Sequence, residues 1–246
     1  MSASFWDGYA VKGYDALTLW LPYEALLQTV YTAAALSPHE QLLVAGCGTG
    51  NFEELATRLQ PQLQVTGVDF SAAMLARARA KCADRAHVRH AEADLCAGLA
   101  FGDAEFDVVV MCNVLYALPD QRAALREIAR VLKPGGRLLL CDRHPHSTPA
   151  AIAQAHFAAL RQLPLAARLT RWARTVAALP ALLAVRRANA DIQRRWAAGE
   201  YNFFAVDEIT ALLPELGLRP LVCQSVYAEQ CWLVSATRSA PVLLEV

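Results

Sequence analysis

One stretch constrains this chain more than any other: the glycine-rich turn Val44-Ala45-Gly46-Cys47-Gly48-Thr49-Gly50-Asn51. Before it, Gln41 to Ala45 reads as a short buried strand, a compact run of Leu and Val ending at glycine. After it, Asn51-Phe52-Glu53-Glu54-Leu55 reads as a helix start, with Asn51 as the capping residue and acids in the first turn. Three glycines in five residues allow positive φ and let a ligand approach the main chain closely. The free N–H groups of a helix N-terminus favour anionic or electron-rich ligand atoms. The spacing is G-x-G-x-G, however, whereas a dinucleotide fingerprint is G-x-G-x-x-G, and position 51 is Asn.

The next unit sharpens the reading. Gln64 to Asp69 is a second strand that ends in an acid, about 20 residues after the glycines, where a doubly wound fold sets a ribose-binding carboxylate. Further strand-like runs at Phe106–Cys112 and Arg137–Cys141 alternate with helix-like stretches at 51–59, 72–82 and 120–132. Near-continuous apolar strands separated by helices predict an α/β fold whose parallel sheet is buried on both faces. Pro134-Gly135-Gly136 is the stop signal of the third helix.

With these residues in view, the chain resembles the class I S-adenosylmethionine (SAM) dependent methyltransferases, in their small-molecule, quinone or lipid branch. Gly67-Val68-Asp69-Phe70-Ser71, with Met74 one turn on, is similar to their second motif, and Ala91-Glu92-Ala93-Asp94-Leu95 to their third. The segment from Leu125 to Leu138 is similar to their helix-turn-strand before the fifth strand. The resemblance implies a doubly wound, mostly parallel seven-stranded sheet with SAM as cofactor. It would divide one domain into an N-terminal helical cap (1–36), a SAM-binding core (37–148), a helical lid between strands 5 and 6 (149–200) and the rest of the core (201–246). It implies that Gly46, Cys47, Gly48 and Gly50 lie beneath the cofactor and that Asp69 binds its hydroxyls. Asp94 would hold the adenine amino group, with Phe70, Met74, Leu95 and Asn113 beside it. One departure stands out: relatives usually carry an acid two residues before the first glycine, and this chain has Val44. Asp15 is the candidate substitute.

The first 36 residues read as helical, and the resemblance implies that Tyr9 and Tyr14 line the site, Tyr14 towards the cofactor and Tyr9 towards the acceptor. Asn113 and Tyr116 follow the fourth strand, at the carboxyl edge where ligands bind in open α/β sheets. His144 and His146 follow the fifth, and an imidazole there suits a general base near neutral pH. A phenolic or acidic-carbon acceptor needs such a base, for which His144 and Tyr116 are the candidates; an amine does not.

Pro149, Pro164 and Pro180 mark three helix starts in the insertion. Leu165, Leu169, Trp172, Val176 and Leu179 form an apolar stripe, and eight arginines lie between residues 149 and 200 against Asp191 and Glu200 alone. Three readings stay open for this basic segment: a solvated face, a pocket for an anionic substrate, or a face resting on an anionic membrane. Trp172 and, beyond the insertion, Tyr201 are the candidate acceptor contacts.

Composition removes other classes. Acids and bases balance to a net charge of zero, so no global field draws nucleic acid. Seven scattered cysteines with no C-x-x-C speak against a disulfide framework or a zinc site and for a reducing compartment, so a cytoplasmic location is expected. The first residues lack the basic and apolar segments of a secretory signal. No metal site is expected. The weaker alternatives are an NAD-dependent oxidoreductase and a non-catalytic SAM-binding protein.

Overall fold

The computed structural model describes residues 3–240. Seven strands form a single sheet: β1 (Gln41–Ala45), β2 (Gln64–Asp69), β3 (Val88–Glu92), β4 (Phe106–Cys112), β5 (Leu132–Arg143), β6 (Leu218–Val226) and β7 (Cys231–Arg238). Their spatial order is β3-β2-β1-β4-β5-β7-β6. The first five run parallel, and β7 enters antiparallel between β5 and β6. This is the class I methyltransferase fold.

The sheet is apolar on both sides because helices cover both. On one face α2 (Leu21–Ala34) and α3 (Asn51–Leu59) pack over Leu42, Val44, Val108, Val110 and Leu139. On the other, α5 (Gln121–Val131) and α9 (Val206–Glu215) cover Leu43, Val109, Met111, Leu138 and Leu140. Successive side chains of β1, β4 and β5 thus alternate between two cores, as the two-residue repeat of a strand requires.

Strand order reverses between β1 and β4, so the carboxyl tips of the two separate there and leave a crevice. The sequence element boundaries hold to within a few residues, with one larger exception. β5 starts at Leu132 and runs through Pro134-Gly135-Gly136, so the predicted helix stop lies inside the strand. The register slip opposite Phe106/Val108 accommodates it.

Over the carboxyl edge lie the helical additions. α1 (Ala3–Lys12) and a 3-10 turn at Tyr14–Leu19 close one side, and α1 is tied to the start of α4 (Ala72–Lys81) by Asp7, which accepts from Ser71 Oγ at 2.5 Å. The insertion folds as α6 (Pro149–Gln162), α7 (Leu165–Ala177) and α8 (Leu179–Ala197), each beginning at one of the three prolines or beside it. α8 is the helix that seals the edge: Val185, Ala188 and Ile192 are buried against Tyr9, Ala16 and the Tyr116–Tyr201 cluster. α7 buries no residue.

Candidate active site

The glycine turn is held from below. Gly46 and Cys47 donate N–H bonds to Val68 O at 2.8 and 2.9 Å, and Gly48 donates to Asp69 Oδ2 at 2.9 Å. Gly46 has φ of +72°, and a Cβ there would come within 2.3 Å of the Val114 side chain, so only glycine fits. Gly50, in the left-handed region, is the N-cap of α3; Asn51 lies in the first turn and its side chain is not the cap. Its Nδ2 instead donates to Tyr23 Oη at 3.2 Å, while its Oδ1 accepts from Lys81 Nζ. The expected capping role of Asn51 is therefore replaced by a buried tether between α2, α3 and α4.

Asp69 ends β2 nine-tenths buried, with Oδ1 accepting from Ser71 N and Oδ2 from Gly48 N, each at 2.9 Å. Burial raises its pKa and the backbone donors oppose that rise. Asp69 lines a cavity with Gly46, Gly48, Phe70 and Met74 on one side and Asp94, Leu95 and Asn113 on the other. Trp6 and Tyr14 close it. Nine of the eleven predicted cofactor residues, Tyr14 among them, meet here. Gly50 does not line this cavity, because it packs against Ala78 of α4. Cys47 lines an adjoining recess together with Val44, Tyr23, Asn51 and Cys112.

That recess carries no carboxylate. Val44 stands where the resemblance implies an acid, and Asp15 does not replace it. Asp15 instead accepts from Thr49 Oγ1 at 2.5 Å and pairs with Lys81 at 2.9 Å, on the outer side of the turn. The polar groups around Val44 are neutral: Tyr14, Tyr23, Asn51 and Asn113.

A second cavity shares Trp6, Tyr14 and Asn113 with the first. Its wall is aromatic, with Tyr9, Tyr23, Tyr116 and Tyr227 joined by Ile192 and Arg143. Tyr9 and Tyr116 therefore occupy the predicted neighbourhood. Burial pushes the Tyr116 phenol well above its ordinary value, which favours its protonated form near neutral pH. Its backbone N–H donates to Asp142 Oδ2 at 2.7 Å, and its ring is stacked on Phe203 at 4.8 Å. Tyr201 is buried edge-on behind Tyr116 at 5.5 Å, so it supports the wall without lining the cavity.

Three further predicted site residues lie away from the two cavities. His144 is half-buried with its N–H bonded to Gln230 O, His146 is exposed near Trp196, and neither lines either cavity. Trp172 is 60% exposed on α7. The residues missed by sequence reading are Trp6, Val114, Tyr23, Tyr227, Asn189 and Arg143. For Arg143 a signal existed, since strand alternation sets it on the face of Leu139 and Cys141. A larger open cleft of about 970 Å3 lies between α2, α3, α6 and the β6–β7 turn, away from the β1 and β4 tips.

Residues 43–140 match the model of a methyltransferase domain. The chain is 40% identical over 120 residues to a demethylmenaquinone methyltransferase of Lactiplantibacillus plantarum, covering 46% of this chain and 49% of that one. It is 36% identical over 136 residues to the corresponding enzyme of Thermus thermophilus, covering 54% and 61%. The chain thus spans about half to three-fifths of the length of these relatives. A SAM-dependent methyltransferase of Aquifex aeolicus has the same fold, with a TM-score of 0.63, 15% identity, and 97% and 99% of the two chains covered. Residues 43–140 are thus similar to a methyltransferase domain, and the chain carries the fold of the class I SAM-dependent methyltransferases.

Proposed function

We propose that the chain is a SAM-dependent methyltransferase acting on a small, lipophilic, quinone-type or other aromatic acceptor. The observation that carries this reading is the pair of joined cavities: strand tips and glycines line one, tyrosines line the other, and Trp6, Tyr14 and Asn113 lie between them. The donor set of the first suits an adenosine. Asp69 offers acceptor oxygens for hydroxyls, Asp94 one for an amine, and Met74, Leu95 and Leu118 offer apolar walls for a purine. The recess beside Val44 supplies phenols and amides for the amino-acid end of the cofactor.

When bound, SAM supplies a methyl group on a sulfonium, already activated for transfer to a nucleophile. The protein's own task is then to position the acceptor and exclude water. The rings of Tyr9, Tyr23 and Tyr116 bound a narrow slot, and α1 and α8 cover it. No base is assigned among His144, His146 and Tyr116, so the acceptor is expected to arrive acidic or to lose its proton to solvent. The demethylmenaquinone methyltransferases similar to this chain support a quinone-type acceptor.

One feature favours work at a membrane surface. Leu165, Leu169, Trp172 and Val176 of α7 are each more than half exposed, with Arg168 and Arg174 beside them, which suits an anionic lipid surface. No helix of the described residues is long and apolar enough to cross a membrane. The test of the proposal is Asp69→Ala, titrated calorimetrically with SAM. Loss of the acceptor carboxylate should weaken binding about 10- to 100-fold, near 1–3 kcal/mol; unchanged affinity overturns the site.

A further inference from the structure

We propose that Arg143 is the acceptor-recognition residue, taking a carboxylate or an equally acidic oxygen of an aromatic acceptor in the tyrosine-lined cavity. This deepens the methyltransferase reading and rests on it.

Arg143 is the last residue of β5, only 9% exposed, and lines the acceptor cavity. Its protein partners are neutral. Nε donates to Ser147 Oγ at 3.2 Å and Nη1 to Asn189 Oδ1 at 2.8 Å. Asn189 is itself oriented by donating to Val185 O at 3.1 Å. The guanidinium is thus fixed from two sides while most of its five N–H donors stay uncommitted. Among the ion pairs of the described residues, none includes Arg143.

The adjacent carboxyl does not fill that place. Asp142 accepts Tyr116 N on Oδ2 at 2.7 Å and Arg143 N on Oδ1 at 2.8 Å. Burial lifts it to about 7, so near neutral pH it is only partly charged. The surrounding phenols are neutral as well, since burial raises Tyr9, Tyr116 and Tyr227, and the Arg143 charge only opposes the rise.

A buried cation that always keeps its proton is costly unless paired. Here the missing partner is an anion entering the cavity. The planar fork of a guanidinium matches a carboxylate at two points. The same charge repels a protonated amine, which disfavours ammonium acceptors.

The arginines of the insertion do not compete for this role, because none of them lines the cavity. Arg171 pairs with Glu24, Arg194 with Asp191 and Arg195 with Glu200. The anion-binding charge therefore comes from the sheet edge.

The test is calorimetric titration with matched probes: 2,5-dihydroxybenzoate and 1-hydroxy-2-naphthoate against their primary carboxamides. Each is titrated into wild type, Arg143→Gln and Arg143→Lys, with and without S-adenosylhomocysteine. At least one acid should bind wild type tenfold or more tightly than its amide. Arg143→Gln should erase that preference and Arg143→Lys restore part of it, with S-adenosylhomocysteine affinity within twofold throughout. Equal binding of acid and amide, no binding of any acid, or a preference surviving in Arg143→Gln overturns the proposal. If the Gln variant fails to fold, the wild-type acid–amide comparison still decides. Absence of cofactor binding to wild type refutes the methyltransferase reading instead, and the cofactor-free titrations keep the two failures apart.

Discussion

Asp142 gives the structure a pH dependence that can be worked out in advance. Its side chain is 2% exposed, and burial raises its pKa to about 7 even though two backbone N–H groups oppose the rise. An unfolded aspartate titrates near ~3.9. Between those values the folded protein holds a proton that the unfolded chain has released. Stability at this site is therefore fully present below about pH 4 and is lost as pH rises towards 7. The gap corresponds to about 4 kcal/mol at 1.36 kcal/mol per pH unit.

Asp142→Asn removes the titration. The carboxamide offers one carbonyl oxygen where two backbone donors, Tyr116 N and Arg143 N, need acceptors. That loss costs about 1–3 kcal/mol. The variant should be less stable than wild type at pH 4.5 and equal or more stable at pH 8. Urea unfolding of both proteins across this range measures the difference. Parallel curves, with a constant gap between wild type and variant, would refute the reasoning, since they would mean that Asp142 is ionised throughout.

Other outcomes follow from packing and exposure. Gly67→Ala should lower stability by about 1–3 kcal/mol, because its Cβ would lie 2.5 Å from Glu53 Oε1 and 2.8 Å from His90 Cδ2. Glu53 is fully buried and cannot swing out, so an unchanged melting temperature in a calorimetric scan would contradict the packing. Replacing Leu169 and Trp172 together by Ser should leave stability within about 0.5 kcal/mol, because both are more than half exposed on α7. The same pair should reduce co-sedimentation with vesicles containing an anionic phospholipid; undiminished co-sedimentation removes α7 from any membrane role.

What the sequence made legible was the part encoded locally. The Leu–Val run of β1, the three glycines and the acid closing β2 are each short-range signals, and they assemble into one cavity wall with Asp94, Leu95 and Asn113. The tyrosine-lined cavity was less legible because it is built from distant pieces. Tyr23, Tyr116, Arg143 and Tyr227 come from four separate elements and meet only through the sheet order. His144 looked well placed as the residue after β5, but its N–H is bonded to Gln230 O beside the β6–β7 turn. Arg143, one residue earlier, faces the cavity. The apolar stripe of α7 was read correctly as a stripe, yet its burial was not deducible, since a three- and four-residue repeat does not say what covers it. The capping assignment at Asn51 failed for a different reason: the left-handed Gly50 takes the cap position and frees the amide for Tyr23 and Lys81.

The most direct test of the account is calorimetric titration of the wild-type chain with SAM, S-adenosylhomocysteine and NAD. Saturable, one-site binding of SAM and S-adenosylhomocysteine with no heat from NAD is the predicted result. Binding of NAD alone, or of none of the three, would contradict it.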